Sequence, residues 1–275
     1  MSDDIRITVL IDDKASRPGL KAGHGLSLWI EHREKRILFD TGQSGIVVEN
    51  AKKLGVDLAD TDAVVISHGH YDHTGGLSAV LDIATKAKIY LHPAAIVTKF
   101  SQKASTTKSI GMSVSAKKAI QGRNVIWTVT PAQLFPEMAV TGQVPRKNTF
   151  EDAGGPFFLD KNRQKADELL DDQSLFIESA KGLIVILGCA HSGVVNILNY
   201  ATKLTGQNNI YGIIGGMHLL NAKDARISNT IDAFRSYDAQ KIAPLHCTGQ
   251  NALDEIKKTF PDRFLSLETG SKICF

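Results

Sequence analysis

Four side chains of the kind that bind metals lie within six positions of one another, in the order His-x-His-x-Asp-His. They follow the apolar segment Ala63-Val64-Val65-Ile66, and they are His68, His70, Asp72 and His73. A loop that leaves a buried strand allows the first two histidines to converge on one metal, while the aspartate and the last histidine face a second. Imidazole and carboxylate are donors that zinc prefers, and manganese, iron, nickel and magnesium are the alternatives. The spacing therefore predicts a site for one or two divalent ions, with zinc as the first choice.

Three more histidines share a second pattern, because each stands just beyond an apolar, strand-like segment. They are His191, His218 and His246. Site residues of α/β proteins gather at the carboxyl ends of strands, and glycines beside these histidines permit a close approach of backbone and ligand. We expect all three to bind metal or substrate. Three other histidines lack this pattern and are interpreted as surface or local-structure residues: His24, His32 and His92.

The elements that must position these residues alternate regularly. Strands are predicted at 5–11, 26–30, 36–40, 63–66, 88–91, 125–129, 174–179, 183–187, 210–214, 241–245 and 264–267. Helices are predicted at 47–54, 76–84, 194–204, 225–237 and 252–260. The pattern favours an α/β fold in which two mixed β-sheets are flanked by helices, an αββα sandwich. No linker divides residues 1–275, so we expect a single domain.

A basic segment lies between the histidines at positions 68–73 and the later histidines His191, His218 and His246. Residues 83–136 contain seven lysines, one arginine and no aspartate or glutamate, whereas even spacing would place roughly six acids there. The plain interpretation is a solvated surface. The functional one is a wall of positive charge that attracts an anionic substrate. On that second interpretation, the candidate substrate-binding residues are Lys99, Lys103 and Lys108.

A polar segment at residues 144–173 contains prolines, glycines and several acids. We interpret it as a long surface excursion. Its part at 151–173 is a candidate cover for the site, as long loops in compact domains often are.

The composition excludes several classes of protein. The 275 residues are 43% hydrophobic and 22% charged, which is ordinary for a globular protein, and no run of 18 apolar residues is long enough for a membrane helix. The acidic start of the chain is not typical of a signal peptide. Three widely spaced cysteines (Cys189, Cys247 and Cys274) fit a reducing cytosol. We expect a cytoplasmic protein without a membrane or nucleic-acid partner, and the sequence leaves the oligomeric state open.

The run SHGHYDHTGGL that starts at Ser67 resembles the signature motif of the metallo-β-lactamase superfamily. The Phe39-Asp40-Thr41-Gly42 turn, His191 and His246 are similar in order and context to its other motifs. The motifs GCAHSG, GGMHL and PLHCTG resemble one subfamily, whose members are described as metal-dependent hydrolases or as 7,8-dihydropterin-6-methyl-4-(β-D-ribofuranosyl)aminobenzene-5′-phosphate synthases. The resemblance covers nearly the whole chain and implies an αββα sandwich with a two-metal site at one edge of its sheets.

The same resemblance implies a set of ligands. The first metal would be held by His68, His70 and His191, and the second by Asp72, His73 and His246. Asp40 would support the metal loop without touching a metal. The superfamily usually places a metal-bridging aspartate after the strand at 210–214, but here His218 follows that strand and no acid occurs before Asp224. His218 therefore either replaces this ligand or contacts substrate.

The implied activity is hydrolysis of a small, phosphate- or carboxylate-bearing substrate by a metal-bound hydroxide. Asp72 would orient the water or receive its proton, and His218 would stabilise negative charge. The alternative is a transferase that joins a dihydropterin diphosphate to a ribofuranosylaminobenzene phosphate, and a third candidate is a non-catalytic metal-binding protein. The pattern disfavours a di-iron redox enzyme, which would carry Glu in place of His70, and a nuclease, which would carry a clamping domain.

Overall fold

The computed structural model describes residues 5–103 and 106–275, apart from the side chain of Lys103. The strands are β1 (Ile5–Ile11), β2 (Ser27–His32), β3 (Lys35–Phe39), β4 (Ala63–Val65), β5 (Lys88–Leu91), β6 (Phe100–Lys103), β7 (Thr106–Ser109), β8 (Val125–Trp127), β9 (Ala132–Phe135), β10 (Met138–Val140), β11 (Phe157–Phe158), β12 (Leu175–Ser179), β13 (Gly182–Leu187), β14 (Ile210–Gly216), β15 (Lys241–Leu245) and β16 (Lys272–Cys274). The α-helices are α1 (Ile46–Leu54), α2 (Tyr71–Thr74), α3 (Leu77–Leu81), α4 (Val114–Ala119), α5 (Val194–Thr205), α6 (Asp224–Ser236) and α7 (Gln250–Thr259). Within the described ranges, no helix combines the length and the apolar character needed to cross a bilayer.

Two mixed sheets form the inner layers of the fold. The first has the strand order β16-β1-β2-β3-β4-β5-β8, and the second has the order β15-β14-β13-β12-β10-β9. Strands β3, β4, β5 and β8 run parallel in the first sheet, and β13, β14 and β15 run parallel in the second. A small third sheet has the order β11-β6-β7. Parallel neighbours end at the same edge of a sheet, so the loops after them lie side by side.

Three apolar layers hold these elements together. Between the two sheets, alternate residues of β13 such as Ile184 and Ile186 meet β1 and β4. The opposite face of β13 packs against α5, α6 and α7, and the outer face of the first sheet packs against α1, α3 and α4. Burial on both faces explains why the central strands are continuous apolar runs rather than alternating ones. The predicted αββα sandwich is confirmed.

The last predicted strand is wrong. Residues 264–267 form no strand, and Phe264 makes only an isolated bridge to Ile242. Strand β16 pairs with β1 instead. Its residues are exposed or half-buried because it lies at the edge of the sheet, so no apolar run marks it in the sequence. The basic segment also contains elements that its weak periodicity did not predict, namely β6, β7, α4 and β9.

The polar segment 144–173 lies only partly on the surface, which corrects the prediction of a surface excursion. Its last residues are buried, and the amide nitrogen Nε2 of Gln173 donates to the Ile66 carbonyl over 2.8 Å. The Asp171 carboxylate accepts a hydrogen bond of 2.7 Å from the Gly69 backbone N–H. The end of this segment therefore satisfies backbone groups of the loop that follows β4, as buried backbone requires.

Lys99 is not available to a substrate, which corrects the prediction that it binds one. Its side chain is only 1% exposed, and its Nζ lies 2.8 Å from both Asp167 Oδ2 and Asp171 Oδ1. A buried ammonium group is tolerated because two carboxylates compensate its charge. Since both acids belong to the polar segment 144–173, Lys99 attaches the basic segment to it.

We predict that Lys99→Met lowers the free energy of unfolding by about 3–5 kcal/mol, because it leaves two buried carboxylates without their cation. The matched control is Lys108→Met, which changes an exposed lysine of the same segment and is expected to stay within about 0.5 kcal/mol of the wild type. Urea unfolding of the three proteins at neutral pH measures the difference. Equal stabilities of the two variants would contradict a structural role for Lys99.

Candidate metal centre

The predicted site residues meet at one edge of the two sheets. His191, His218 and His246 follow the ends of the neighbouring parallel strands β13, β14 and β15. The loop after β4 faces them from the other sheet. The ring centroids of His68 and His191 are 4.8 Å apart, and those of His73 and His246 are 5.3 Å apart. The site therefore lies in the gap between the sheets, where loops from both can reach it.

The first group consists of His68, His70 and His191, whose donor atoms lie within 4.8 Å of one another. His68 Nε2 is 2.9 Å from His70 Nδ1. His191 Nδ1 donates to the Ala153 carbonyl over 2.8 Å, so its Nε2 carries a bare lone pair. Burial lowers the pKa of all three imidazoles, that of His70 to about 3. These side chains are therefore neutral, as metal-binding histidines must be.

The second group consists of Asp72, His73 and His246, which also meet within 4.8 Å. Asp72 Oδ2 lies 3.8 Å from His73 Nε2 and 3.4 Å from His246 Nε2. The outer nitrogen of each histidine is bound to a carboxylate: His73 Nδ1 lies 2.7 Å from Asp40 Oδ2, and His246 Nδ1 lies 2.9 Å from Asp13 Oδ1. Each carboxylate accepts a hydrogen from the outer nitrogen, so the inner nitrogen, Nε2, is the atom that faces Asp72. Burial opposes a charge on His246, but the Cys247 sulfur, Asp13 and Asp72 raise the pKa of this imidazole well above its usual value, so a metal would displace a proton from its Nε2.

Asp40 connects the two groups. It is fully buried, and besides His73 it accepts hydrogen bonds of 2.7 Å from both the backbone N–H and the hydroxyl of Ser67. Since the Ser67 hydroxyl donates to Asp40, it accepts from His68 Nδ1, which lies 2.9 Å away. The Asp40 carboxylate therefore orients His73 directly and His68 through Ser67, in the supporting position that the resemblance implied.

The two groups fit divalent metals on the evidence of their unpaired atoms. Within the described part of the chain, His70 Nε2 and His191 Nε2 are buried and have no hydrogen-bond partner. Orphaned buried acceptors are uncommon in proteins and call for a ligand. Together the groups offer five imidazoles and one carboxylate, a nitrogen and oxygen donor set that suits zinc and also accommodates manganese, iron or nickel.

His218 joins neither of these groups. Its ring centroid is 4.4 Å from that of His191, but its Nε2 donates to the Gly154 carbonyl over 3.1 Å. Its Nδ1 is buried and forms no hydrogen bond with any of the described residues. Burial opposes a charge on this imidazole, yet the neighbouring Cys247 sulfur outweighs that effect and raises the pKa of His218. The arrangement favours contact with substrate over ligation within the two groups.

Three residues at the centre were missed by the sequence interpretation: Asp13, which binds His246 Nδ1, and also His24 and Cys189. His24 Nε2 lies 3.4 Å from Asp72 Oδ2, although we placed His24 among the surface or local-structure residues. Cys189 Sγ lies 3.2 Å from His73 Nε2. The position of Cys189 two residues before His191 could have indicated it, whereas nothing around His24 in the sequence does.

Of the other two candidate lysines, only one can be placed against the site. The side chain of Lys103 lies outside the described part of the structure. Lys108 is exposed, and its Nζ stands 5.1 Å from the ring centroid of Tyr71, the residue beside Asp72. The basic segment also reaches the metal loop through its backbone, since the Ile110 carbonyl accepts the Tyr71 N–H.

Comparison with known proteins identifies the family. A model described as the metallo-beta-lactamase superfamily matches residues 20–195. The chain belongs to this superfamily. It is 32% identical, over 99% of its own length and 97% of the relative's, to the 7,8-dihydropterin-6-methyl-4-(beta-D-ribofuranosyl)-aminobenzene-5′-phosphate synthase of Methanocaldococcus jannaschii. An uncharacterized protein of the same organism is 34% identical over 92% of this chain and 94% of its own.

A solved structure shows the same architecture. It is described as Tm1679, a metal-dependent hydrolase of the beta-lactamase superfamily, and it superposes with a TM-score of 0.85 at 31% identity over 98% of both chains. The resemblance stated from the motifs is thus confirmed for the superfamily and its fold. The relatives differ in the reaction that their names give, a synthesis in one case and a hydrolysis in the other.

Asp172 sits behind the turn that carries His191. It is 1% exposed, its Oδ2 accepts the Ser192 N–H over 2.8 Å, and its Oδ1 has no hydrogen-bond partner in residues 5–103 and 106–275. Burial raises the pKa of this carboxyl to about 6. Between the usual aspartate pKa of 3.8 and the raised value, the native state keeps a proton on Asp172 that the unfolded chain has released. The free energy of unfolding therefore decreases as the pH rises from about 4 to about 6.

We predict that Asp172→Asn changes the free energy of unfolding in a pH-dependent way. The difference between the variant and the wild type should be about 2 kcal/mol more favourable to the variant at pH 7.5 than at pH 4. The asparagine keeps the acceptor for Ser192 and removes the cost of the buried charge. Urea unfolding of metal-free protein at both pH values measures this difference, and histidine titration cancels because both proteins share it. A difference that is the same at the two pH values would contradict the raised pKa.

Proposed function

We propose that this chain is a metal-dependent hydrolase that holds two divalent ions, zinc in the first instance, and acts on a small anionic substrate. The supporting observation is the pair of facing donor groups, one of three histidines and one of Asp72 with two histidines. The outer nitrogens of His73 and His246 are bound to carboxylates and that of His191 to a carbonyl, and the donor atoms within each group lie within 4.8 Å of one another. When bound, such ions polarise an electrophile and lower the pKa of water.

The chain's own contribution to proton transfer centres on Asp72. Burial alone would raise its pKa, but the surrounding histidines, above all His73 and His246, hold the pKa of this carboxyl well below its usual range. Asp72 is therefore ionised and acts as an acceptor at its Oδ2, the atom that also faces His24. In the proposed reaction, Asp72 would serve as a fixed proton acceptor beside the space where water would be activated.

A cavity of about 570 Å³ adjoins the centre and is a candidate for the anionic part of the substrate. Its lining includes His218, Lys223 and Arg226. Arg226 donates from Nη1 to Asp152 over 2.6 Å, whereas its Nε and Nη2 are buried and have no partner among the residues that the structure describes. Unpaired guanidinium N–H groups are well suited to a phosphate or carboxylate, which accepts two such bonds at once. His218 lies between this cavity and His191, so it can donate to a substrate that spans both.

Group transfer is the second candidate function, and the Methanocaldococcus jannaschii relative favours it. The name of that relative's product includes a 5′-phosphate, an anion of the kind that the cavity beside Arg226 would hold. Both reactions begin with an electrophile bound at the centre and differ in the nucleophile, which is water in hydrolysis and an arylamine or aryl carbon in the transfer.

We predict that the wild type binds about two zinc ions per chain and that His191→Ala and His246→Ala each bind about one, because each removes one of three ligands from a different group. His218→Ala is expected to keep both ions, since this histidine lies outside the groups. His32→Ala is the matched control, because His32 is buried against Glu137 and belongs to neither group. Equilibrium dialysis with elemental analysis measures the content. Unchanged content in His191→Ala would contradict the proposed centre.

We predict that Arg226→Met raises KM for the preferred substrate by about 10- to 100-fold, as expected for the loss of a hydrogen-bonded charge pair with a bound anion. Arg235→Met is the matched control on the same helix, because Arg235 is exposed and pairs with Asp232. The substrate comes from a panel of phosphodiesters, cyclic phosphates, lactones and thioesters, tested beside a dihydropterin diphosphate with an arylamine. Turnover of the last pair alone would overturn hydrolysis in favour of transfer.

A further inference from the structure

The two donor groups contain little negative charge for two divalent ions. Five of the six side chains are imidazoles, which bind a metal as neutral ligands, and only Asp72 contributes a carboxylate. The nearby carboxylates are already engaged on the outer side: Asp40 by His73 and Ser67, and Asp13 by His246. Buried cations need compensating charge close to them. Two divalent ions in these groups would therefore need a further anionic ligand on the inner side, in addition to Asp72.

Cys189 occupies that inner position. Its side chain is only 3% exposed, and its Sγ lies 3.2 Å from His73 Nε2. The sulfur also lies within 4.8 Å of donor atoms of both His68 and His73. These two histidines belong to different donor groups. The sulfur atom is thus placed between the two groups rather than at the outer side of either.

The backbone holds Cys189 in this position from both sides. The preceding residue, Gly188, lies so close to the metal loop that a Cβ there would stand 2.2 Å from the Ser67 hydroxyl oxygen. The following residue, Ala190, has a φ of 56°, a left-handed conformation that non-glycine residues rarely adopt. The close packing and the sharp turn together direct the Cys189 side chain into the site.

The partner of the sulfur supports the same interpretation. His73 donates from Nδ1 to Asp40, so its Nε2 is a lone-pair acceptor and receives the hydrogen of the Cys189 thiol. In a protein that holds metal, an ion can take the place of this hydrogen. The S–H bond then breaks, a metal–sulfur bond forms and the proton leaves to solvent, which needs no further reactant.

We propose that Cys189 is a thiolate ligand shared by the two metals, in the role that a bridging carboxylate has in other centres. This inference rests on the proposed metal centre and adds a ligand to it. It also gives a physical reason why the turn after β14 can carry His218 instead of an acid, since the bridging anion comes from the turn after β13. Sulfur is a donor that zinc, iron and cobalt accept readily.

Cys247 is the neighbouring sulfur and serves as the matched control. Its Sγ accepts the His218 N–H over 3.3 Å and stands 3.9 Å from the Cys189 carbonyl. Its donor atom groups with those of Cys189 and His218, away from His68 and His73. We expect it to lie beside the ligand without binding the two metals itself. Cys274 is exposed and provides a second control.

The experiment is cobalt substitution of the full chain, reduced and metal-free, under anaerobic conditions. Cobalt content is measured by elemental analysis, its visible d–d absorption reports the geometry, and its near-ultraviolet thiolate-to-cobalt charge-transfer band reports sulfur ligation. We expect this band in the wild type, in Cys247→Ala and in Cys274→Ala, and its loss in Cys189→Ala. Affinity for the more weakly held ion should fall by about 10- to 100-fold in Cys189→Ala. Cys189→Asp restores an anion and should keep both ions without the band.

The outcomes separate this inference from the proposed function. Cobalt bound by the wild type without the charge-transfer band overturns the role of Cys189 and leaves the metal centre standing. No bound cobalt overturns both. If the band persists in Cys189→Ala, or is lost only in Cys247→Ala, the sulfur ligand is a residue other than Cys189. A Cys189–Cys247 disulfide found by mass spectrometry in the anaerobic protein also refutes the proposal. If Cys189→Ala does not fold, Cys189→Asp decides through the same spectrum.

Discussion

The centre depends on one buried carboxylate. The Asp40 carboxylate accepts three hydrogen bonds, two from Ser67 and one from His73, and none of the residue's surface is exposed. A polar group buried in this position is tolerated because these donors replace water, and in return it sets the orientation of the histidines on the metal loop. Asp40 follows β3 and Ser67 follows β4, so the parallel pairing of two strands determines where the loop stands.

In the second sheet, the turns after β13, β14 and β15 carry the site residues, and their backbone conformations cost free energy in an isolated chain. Ala190, His218 and His246 have φ values of 56°, 46° and 48°, all in the left-handed region. Such conformations persist when the surrounding structure imposes them, and they are frequent at functional sites. Here the His246 N–H is held by Asp12, and the His218 N–H is held by the Cys247 sulfur. The fold thus keeps three turns in conformations that direct the side chains at one common space.

Local sequence patterns predicted the strands that contain strong apolar runs. They did not predict elements and buried residues that are held by contacts with distant segments of the chain. Strands β1, β5 and β15 have the predicted bounds because their own residues form the core. Strand β16 was missed since an edge strand is held mainly by its backbone hydrogen bonds to β1. Lys99 was predicted to bind substrate and Asp171 to lie on a surface excursion, yet both are buried and form an ion pair with each other. Such pairs join segments far apart in the chain, and no local pattern records them.

The sequence by itself determined the superfamily, and it predicted the histidine cluster at positions 68–73 and the three histidines that follow apolar strands. The spacing His-x-His-x-Asp-His and the position of a histidine after an apolar strand are local properties, which a single chain displays without its fold. Only the tertiary structure brought His24 and Asp13 to Asp72 and His246, and placed the Cys189 sulfur between the two groups. These contacts depend on how the two sheets pack face to face, and this packing is a relation between distant segments that residue types and spacing do not encode separately.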